Sequence, residues 1–168
     1  MMEKYIGTKV IKARAMNRGD YNEHRGWDIP KNENLDDPGH LVGYPDAHGN
    51  FDGELEGGCH YISWSPADVF DVAYKPMTGM PFGMAIEAMK LGNKVARDGW
   101  NGKGMFVVYQ KGYPDGIPCN AQTAKAFGMQ EGDLFKCRPY MQLRCADGSH
   151  QMWQPSVSDC LEEDWTVV

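Results

Sequence analysis

Apolar residues fall along this chain in short runs, broken by glycine and proline, and the period changes from run to run. Pro81 to Leu91 has the clearest helical spacing: Phe82, Ile86 and Met89 recur on one side, with Ala85 and Ala88 beside them. Pro81 suits a first turn and Gly92 a stop, so a helix is predicted between them. Asn93 to Arg97 then reads as a short strand and Met105 to Gln110 as a strongly apolar one. Gly112 to Pro118 reads as a Gly/Pro-rich connection, and Ala121 to Phe127 as a short helix. Tyr140 to Cys145 alternates and runs into Ala146-Asp147-Gly148, which predicts a hairpin with His150 to Trp153 as its partner strand. After Pro155, Ser156 to Leu161 reads as a short helix with Ser156 or Ser158 as its cap.

The first half is less regular. Ile6 to Ala15 alternates as a strand without a clean polar face. Asn32 to Gly39 contains Asp36-Asp37-Pro38-Gly39 and reads as loop. Asn50 to Gly58 reads as an acidic hairpin tip, Tyr61 to Trp64 as a strand, Pro66 to Tyr74 as a short helix and Lys75 to Gly79 as a linker. The two halves also share an order of parts. Arg25-Gly26-Trp27 corresponds to Arg97-Asp98-Gly99-Trp100, and Trp64-Ser65-Pro66 to Trp153-Gln154-Pro155. Asp68, followed by Tyr74, corresponds to Asp159, followed by Trp165, at the same spacing. The expected fold is α+β: small twisted antiparallel sheets with a few short helices, in two related modules. The predicted boundaries are 1–76 for a β-rich N-terminal module and 77–168 for the second domain.

Composition narrows the function. The chain has 168 residues, a net charge of −6 and a pI near 5.3. It has no basic stripe, which argues against a nucleic-acid polymer as partner. No apolar run approaches the ~20 residues of a membrane span, and the N-terminus lacks the apolar stretch of a secretory signal. Five cysteines without a CxxC pair point away from a disulfide framework and toward a reducing cytoplasm.

Most catalytic patterns are missing. Gly102-Lys103 is followed by Gly104, not by Ser or Thr and a helix, so it is not a phosphate loop. The histidines and cysteines have no zinc-type spacing, and no nucleophile, base and orienting group stand together. The acidic residues Asp52, Glu54 and Glu56 read as surface charge at a solvated tip. No catalytic residue, metal or cofactor is expected. What remains is the tryptophan set among glycines at Arg97 to Phe106. Glycine allows close backbone approach, tryptophan offers a stacking face, and Arg97 and Lys103 add positive charge. That combination suits a base and a phosphate on one small molecule. Trp100 and Trp153 are the candidate walls of a slot for a base or ribose. Asn101, Gln154, Ser156 and Ser158 offer directional hydrogen bonds, Arg97 or Lys103 a phosphate contact, and Asp159 a hydroxyl or amine contact in competition with helix capping.

The stretch from Pro81 through Gly99-Trp100-Asn101-Gly102-Lys103-Gly104-Met105-Phe106 resembles the second Thoeris anti-defence family of bacteriophages. So does the ending with Asp147-Gly148, Trp153-Gln154-Pro155-Ser156, Asp159, Leu161 and Glu163-Asp164-Trp165. The resemblance covers roughly residues 80 to 168. Residues 1 to about 76 resemble a separate phage-protein module. The family resemblance implies a non-enzymatic sponge that captures cyclic ADP-ribose-type signals of TIR proteins in the cytoplasm of the infected bacterial host. It also implies homotetramers with pockets between protomers and, in some members, a separate site for cyclic dinucleotides or trinucleotides. Candidates for a second nucleotide site are Arg25, Trp27, Gly104, Met105 and Phe106. Two other readings stay open: a structural or adaptor phage protein without a ligand, and an enzyme that degrades the messenger.

Overall fold

The computed structural model describes residues 2–28 and 30–168. The chain folds into two units, Met1–Lys75 and Pro76–Val168. The first contains β1 (Lys12–Ala15), α1 (Arg18–His24), β2 (Gly39–Tyr44), β3 (Tyr61–Pro66) and α2 (Ala67–Ala73). The second begins with β4 (Thr78–Met80), α3 (Phe82–Lys90), β5 (Val95–Arg97) and β6 (Phe106–Gln110). It continues with β7 (Tyr113–Pro118), α4 (Ala121–Phe127) and β8 (Leu134–Cys137), then β9 (Tyr140–Arg144), β10 (His150–Trp153), α5 (Val157–Leu161) and β11 (Trp165–Val167). The fold is α+β with small antiparallel sheets, as the sequence predicts.

In the first unit the sheet order is β1-β2-β3. The central strand β2 is buried along most of its length. It has two glycines because side chains from its neighbours press on it: a Cβ on Gly43 would run into the Cys59 sulfur, and one on Gly39 into the Trp64 indole. Met16, Tyr21, Leu41, Cys59 and Ile62 form the core, with Phe51 and Trp64 packed against it. The strand expected over Ile6 to Ala15 is shorter than predicted. Pairing begins at Lys12, which faces Gly43, and residues 6–10 are exposed without a partner strand.

The second unit is built on a six-stranded antiparallel sheet of order β10-β9-β6-β5-β11-β4. Helix α3 buries Phe82, Ala85, Ala88 and Met89 against Met80, Val95, Val107, Leu143 and Trp165. Two segments differ from their predicted roles. Thr78–Met80, read as linker, is the edge strand β4 and pairs with β11. The Gly112–Pro118 connection is strand β7, which pairs with β8 in a two-stranded sheet. Pro114 and Pro118 are compatible with that position, because a strand with an unpaired edge tolerates missing amide donors.

The internal correspondence between the halves holds in part and shifts register in part. Trp64-Ser65-Pro66 and Trp153-Gln154-Pro155 both leave an edge strand, β3 and β10, and lead into short helices, α2 and α5. The tryptophan turns are not equivalent. Gly26 follows α1 with φ +65°. Its amide donates to Glu23 O at 2.9 Å, and the Trp27 amide to Asn22 O at 2.9 Å, a helix-terminating pair of bonds that requires a left-handed residue. Its structural counterpart is Gly92, φ +92°, where Gly92 donates to Met89 O and Asn93 to Ala88 O after α3. Gly99-Trp100 instead follows strand β5. The closing aromatics differ as well: Tyr74 packs on Phe70 at 5.0 Å, whereas Trp165 sits inside the sheet with no exposure.

The Gly43–Cys59 contact yields a test. Gly43→Ala should destabilise the first unit by about 1–3 kcal/mol through overpacking. The double variant Gly43→Ala/Cys59→Ala should recover part of that loss, because the two sites share one space. Chemical denaturation of the four proteins of the cycle measures the coupling.

Candidate functional site

Arg97 ends β5, and its guanidinium clasps the segments around it. Nε donates to Asp164 Oδ1 at 2.7 Å, Nη2 to Asp164 Oδ2 at 3.2 Å, and Nη1 to Asp159 Oδ1 at 2.9 Å. Only 12% of its side chain is exposed. Asp164 also accepts from the Gly99 amide at 3.0 Å, which ties the start of the glycine loop to the residue before β11. Asp159 and Ser156 form a capping box on α5: the Ser156 amide donates to Asp159 Oδ2 at 2.9 Å and the Asp159 amide to Ser156 Oγ at 3.1 Å. The Asp159 carbonyl accepts from Trp165 Nε1 at 2.9 Å.

The charges settle accordingly. Burial pushes the Asp159 carboxyl up, but hydrogen bonds from Ser156, Arg97 and Trp100 outweigh it and hold it at about 2. The Arg97 hydrogen bond holds Asp164 below the usual carboxylate range, and the two carboxylates raise Arg97 above its own ordinary value. Arg97 therefore clasps carboxylates here, in place of the phosphate contact expected of it. Ser156 and Asp159 cap a helix and anchor that clasp; their hydrogen-bonding groups are engaged within the protein.

The two candidate indoles do not form a slot. Trp100 and Trp153 lie 5.9 Å apart between ring centroids at 74°, and both meet the buried Trp165 edge to face, at 5.4 and 6.0 Å. Phe82 completes the cluster, 5.1 Å from Trp165. A base sandwiched between two rings needs near-parallel planes roughly 7 Å apart, twice a stacking contact of about 3.5 Å. Indoles in mutual contact prefer the edge-to-face arrangement seen here, because it sets positive ring edge against negative face. Each tryptophan is half-buried, so the surface left to a ligand is the outer one.

The loop beyond Trp100 is open. Asn101 and Lys103 are exposed, as is Gln154 beside Trp153. Gly102 lies where a Cβ would strike Met105 and crowd Ala146, so the loop is seated on the turn between β9 and β10. Arg144 Nη1 donates to Gly104 O at 2.7 Å. The Phe106 ring has Lys94 Nζ at 5.1 Å and Arg144 Cζ at 5.9 Å from its centroid. Lys94 and Arg144 are the residues that sequence reasoning missed. The hairpin placed Arg144 at the end of β9 opposite His150, but its position opposite Phe106 comes from the long-range β6–β9 pairing, for which the sequence carried no local signal. Lys94, Lys103 and Arg144 form no ion pair with a carboxylate among the described residues.

The remaining candidates lie in the first unit. Arg25 caps α1 and places its guanidinium 4.7 Å from the Trp27 ring centre. Carboxylates of Asp20, Glu23 and Asp36 line the groove that Trp27 enters, so an anionic nucleotide is disfavoured there, contrary to the second-site expectation for Arg25 and Trp27. Gly104, Met105 and Phe106 belong to the second unit. At the acidic tip, Asp46, Asp52 and His60 bring ligand atoms within 4.8 Å of one another. His60 Nε2 is 2.8 Å from Asp52 Oδ1, and Asp46, bonded by the Asn50 and His48 amides, is held at about 2. Glu56 pairs with Arg14 at 2.7 Å. All five cysteines are free, and no described helix is long and apolar enough to cross a membrane.

The clasp predicts an acid response. The Asp159 carboxyl is depressed from 3.8 to about 2, so its contribution is present above pH ~4 and is lost as pH falls from about 4 through 2; it amounts to about 2 kcal/mol. Asp159→Asn should lower stability at neutral pH by a similar amount and flatten the stability loss between pH 4 and 2. Urea unfolding followed by the near-ultraviolet signal of the indole cluster, repeated across that range, measures both.

Residues 80–168 match the sequence model of the Thoeris anti-defense 2-like domain. The chain is 35% identical over 94 residues to a protein of Bacillus phage SP01 named Thoeris anti-defense 2; the match spans 54% of this chain and 97% of that protein. With the glycine loop, the Trp-x-Pro step and the terminal Asp-Trp all inside the matched region, the chain belongs to the Thoeris anti-defense 2-like family.

Proposed function

We propose that this is a phage anti-defence protein whose second unit captures a cyclic nucleotide messenger of bacterial immunity, of the cyclic ADP-ribose type. It holds the messenger without altering it, in the cytoplasm of the infected host. The observation that carries this reading is the cationic locus on the glycine loop: Lys103 beside Gly104, with Lys94 and Arg144 around Phe106 and no carboxylate paired to any of them among the described residues. Of the two residues expected to meet phosphate, Arg97 or Lys103, this reading keeps Lys103 and adds Lys94 and Arg144. The outer surfaces of Trp100 and Trp153, with Asn101 and Gln154, serve the base and ribose. Gly104, Met105 and Phe106 then belong to this site and not to a separate one. Family membership and the name of the phage SP01 relative support the anti-defence role.

A sponge must hold its messenger below the level that activates an effector. Nanomolar affinity corresponds to about −12 kcal/mol. Aromatic stacking at about 1–3 kcal/mol per ring falls short, so charge-assisted bonds to phosphate in a preorganised site must supply the rest. The Arg97 clasp provides that preorganisation at the base of the loop. Met152, Val157 and Leu161 flank the Trp153-Gln154-Pro155 step and are more than 70% exposed. Such a patch suits contact with another protomer, in keeping with a homo-oligomer, a tetramer by resemblance, that closes the site.

One assay tests the reading. Protein is mixed with a TIR-derived cyclic ADP-ribose isomer, the free fraction is measured, and the complex is then heat-denatured. Messenger that is depleted before heating and released intact afterwards is the expected result. Altered messenger identifies an enzyme, and messenger free from the start leaves a structural or adaptor role. Lys103→Ala should weaken binding about tenfold or more, the scale of one charge-assisted bond, with the melting temperature unchanged.

A further inference from the structure

The first unit carries a groove that the nucleotide reading does not use. It runs between α1 and the loop over residues 34–37, is open to solvent, and has a volume of about 470 Å³, within the ~300–1,000 Å³ range of ligand clefts. Its apolar surface is Trp27, 49% exposed, and Leu35, 40% exposed. Its charged surface is Asp20, Glu23 and Asp36. None of these three carboxylates forms an ion pair or a side-chain hydrogen bond among the described residues. Two nearby cations are committed to carboxylates, Arg14 to Glu56 and Arg18 to Glu33, while Arg25 lies against the Trp27 ring at the groove itself.

The walls are fixed in advance. The Arg18 amide donates to Asp37 O and the Gly19 amide to Leu35 O. Glu33 locks the loop to α1 through Arg18, whose Nε lies at 2.7 Å, and through Asn22 Nδ2 at 3.0 Å. A groove held this way loses little freedom when it is filled.

We propose that this groove docks a basic peptide segment of a partner protein, one that places an arginine or lysine against Trp27. Three features commit it to that occupant. Asp20 and Glu23 stand three residues apart on one face of α1, and Asp36 faces them from the loop, so negative charge extends along the groove and matches spaced cations on an extended chain. The Trp27 ring holds the Arg25 guanidinium 4.7 Å from its centre and is still about half exposed, so a second cation meets the ring surface that Arg25 leaves open. The excess negative charge of the chain lies in the unit that carries the groove: the first unit holds 13 Asp and Glu against 8 Lys and Arg, the second 10 against 9. The proposal stands on the first unit alone and does not depend on the second unit's ligand.

The test uses the full chain with nitrogen-15-labelled tryptophan, whose five indole signals report five places separately. Titration with acetyl-Arg-Gly-Arg-amide should shift the Trp27 indole resonance saturably, with little movement of the other four. The triple variant Asp20→Asn/Glu23→Gln/Asp36→Asn should weaken that titration at least fivefold. A control of equal charge change, Asp71→Asn/Asp115→Asn/Glu131→Gln, should leave it within twofold. A Trp27 signal that stays still in the wild-type chain overturns the proposal. So does equal weakening by the control triple, or an equal response to spermidine, which would mark a site for free polyamines and not for a peptide.

Discussion

One arginine joins three segments of the second unit: Arg97 is bonded to Asp164 and Asp159, and Glu162 lies 3.9 Å from it. Arg97 stands where β5 ends, Asp164 just before β11 begins, and Asp159 in the first turn of α5. The sheet already holds β11 between β5 and β4; the clasp adds the side-chain link that ties the glycine loop and the short helix to it. A helix of five residues has little stability of its own, and α5 is held by its capping box, by Arg97 and by the Trp165 indole bonded to the Asp159 carbonyl. The geometry is two-pronged toward Asp164, which suits the fork of a guanidinium and which a lysine could not reproduce. One charge thereby positions the loop and fixes the edge of the indole cluster.

That cluster decides which indole surfaces are left to solvent. Trp165 is fully buried, and Trp100 and Trp153 lean on it edge to face. Their inner surfaces are spent on each other and on Phe82. The tryptophans are scaffold and wall at once, so replacing either would disturb the sheet as well as any ligand. The exposed polar residues of the loop, Asn101 and Lys103, are separable from the scaffold, and for that reason they discriminate binding from folding.

The elements most readable from sequence were those with a complete local signature. Helix α3 has an apolar period with Pro81 before it and Gly92 after it, helix α4 has Asn120 as its cap and Gly128 as its stop, and the β9–β10 hairpin turns at Asp147-Gly148. Strand β2 was not legible. Its glycines serve the neighbours Cys59 and Trp64 and blur any alternation, so only the tertiary contact explains its composition. Arg-Gly-Trp looked like Arg-Asp-Gly-Trp as a string, yet the first ends a helix and the second follows a strand. Glycine at a left-handed turn looks the same in sequence whichever element precedes it. Arg97 as a phosphate ligand failed for a related reason: Asp98 is its neighbour in sequence, but the carboxylates that take its charge arrive from more than sixty residues away. Lys94 and Arg144 escaped notice because a cation becomes interesting only once it is known to have no carboxylate partner, as here among the described residues.

The distribution of charge is the remaining link between fold and function. A chain with a net charge of −6 is a poor candidate for an anion receptor if that charge is spread evenly. It is not spread evenly: nearly all the excess lies in the first unit, and the second is close to neutral, with Lys94, Lys103 and Arg144 in no carboxylate ion pair among the described residues. At physiological salt the screening length is about 8 Å, so local groups, and not the total, set the field at each surface. Lys103 and Trp27 then stand in opposite local fields on one polypeptide. An electrostatic account of this protein has to be written for each unit separately, and salt should weaken both kinds of contact while leaving the half-buried Arg97 clasp largely intact.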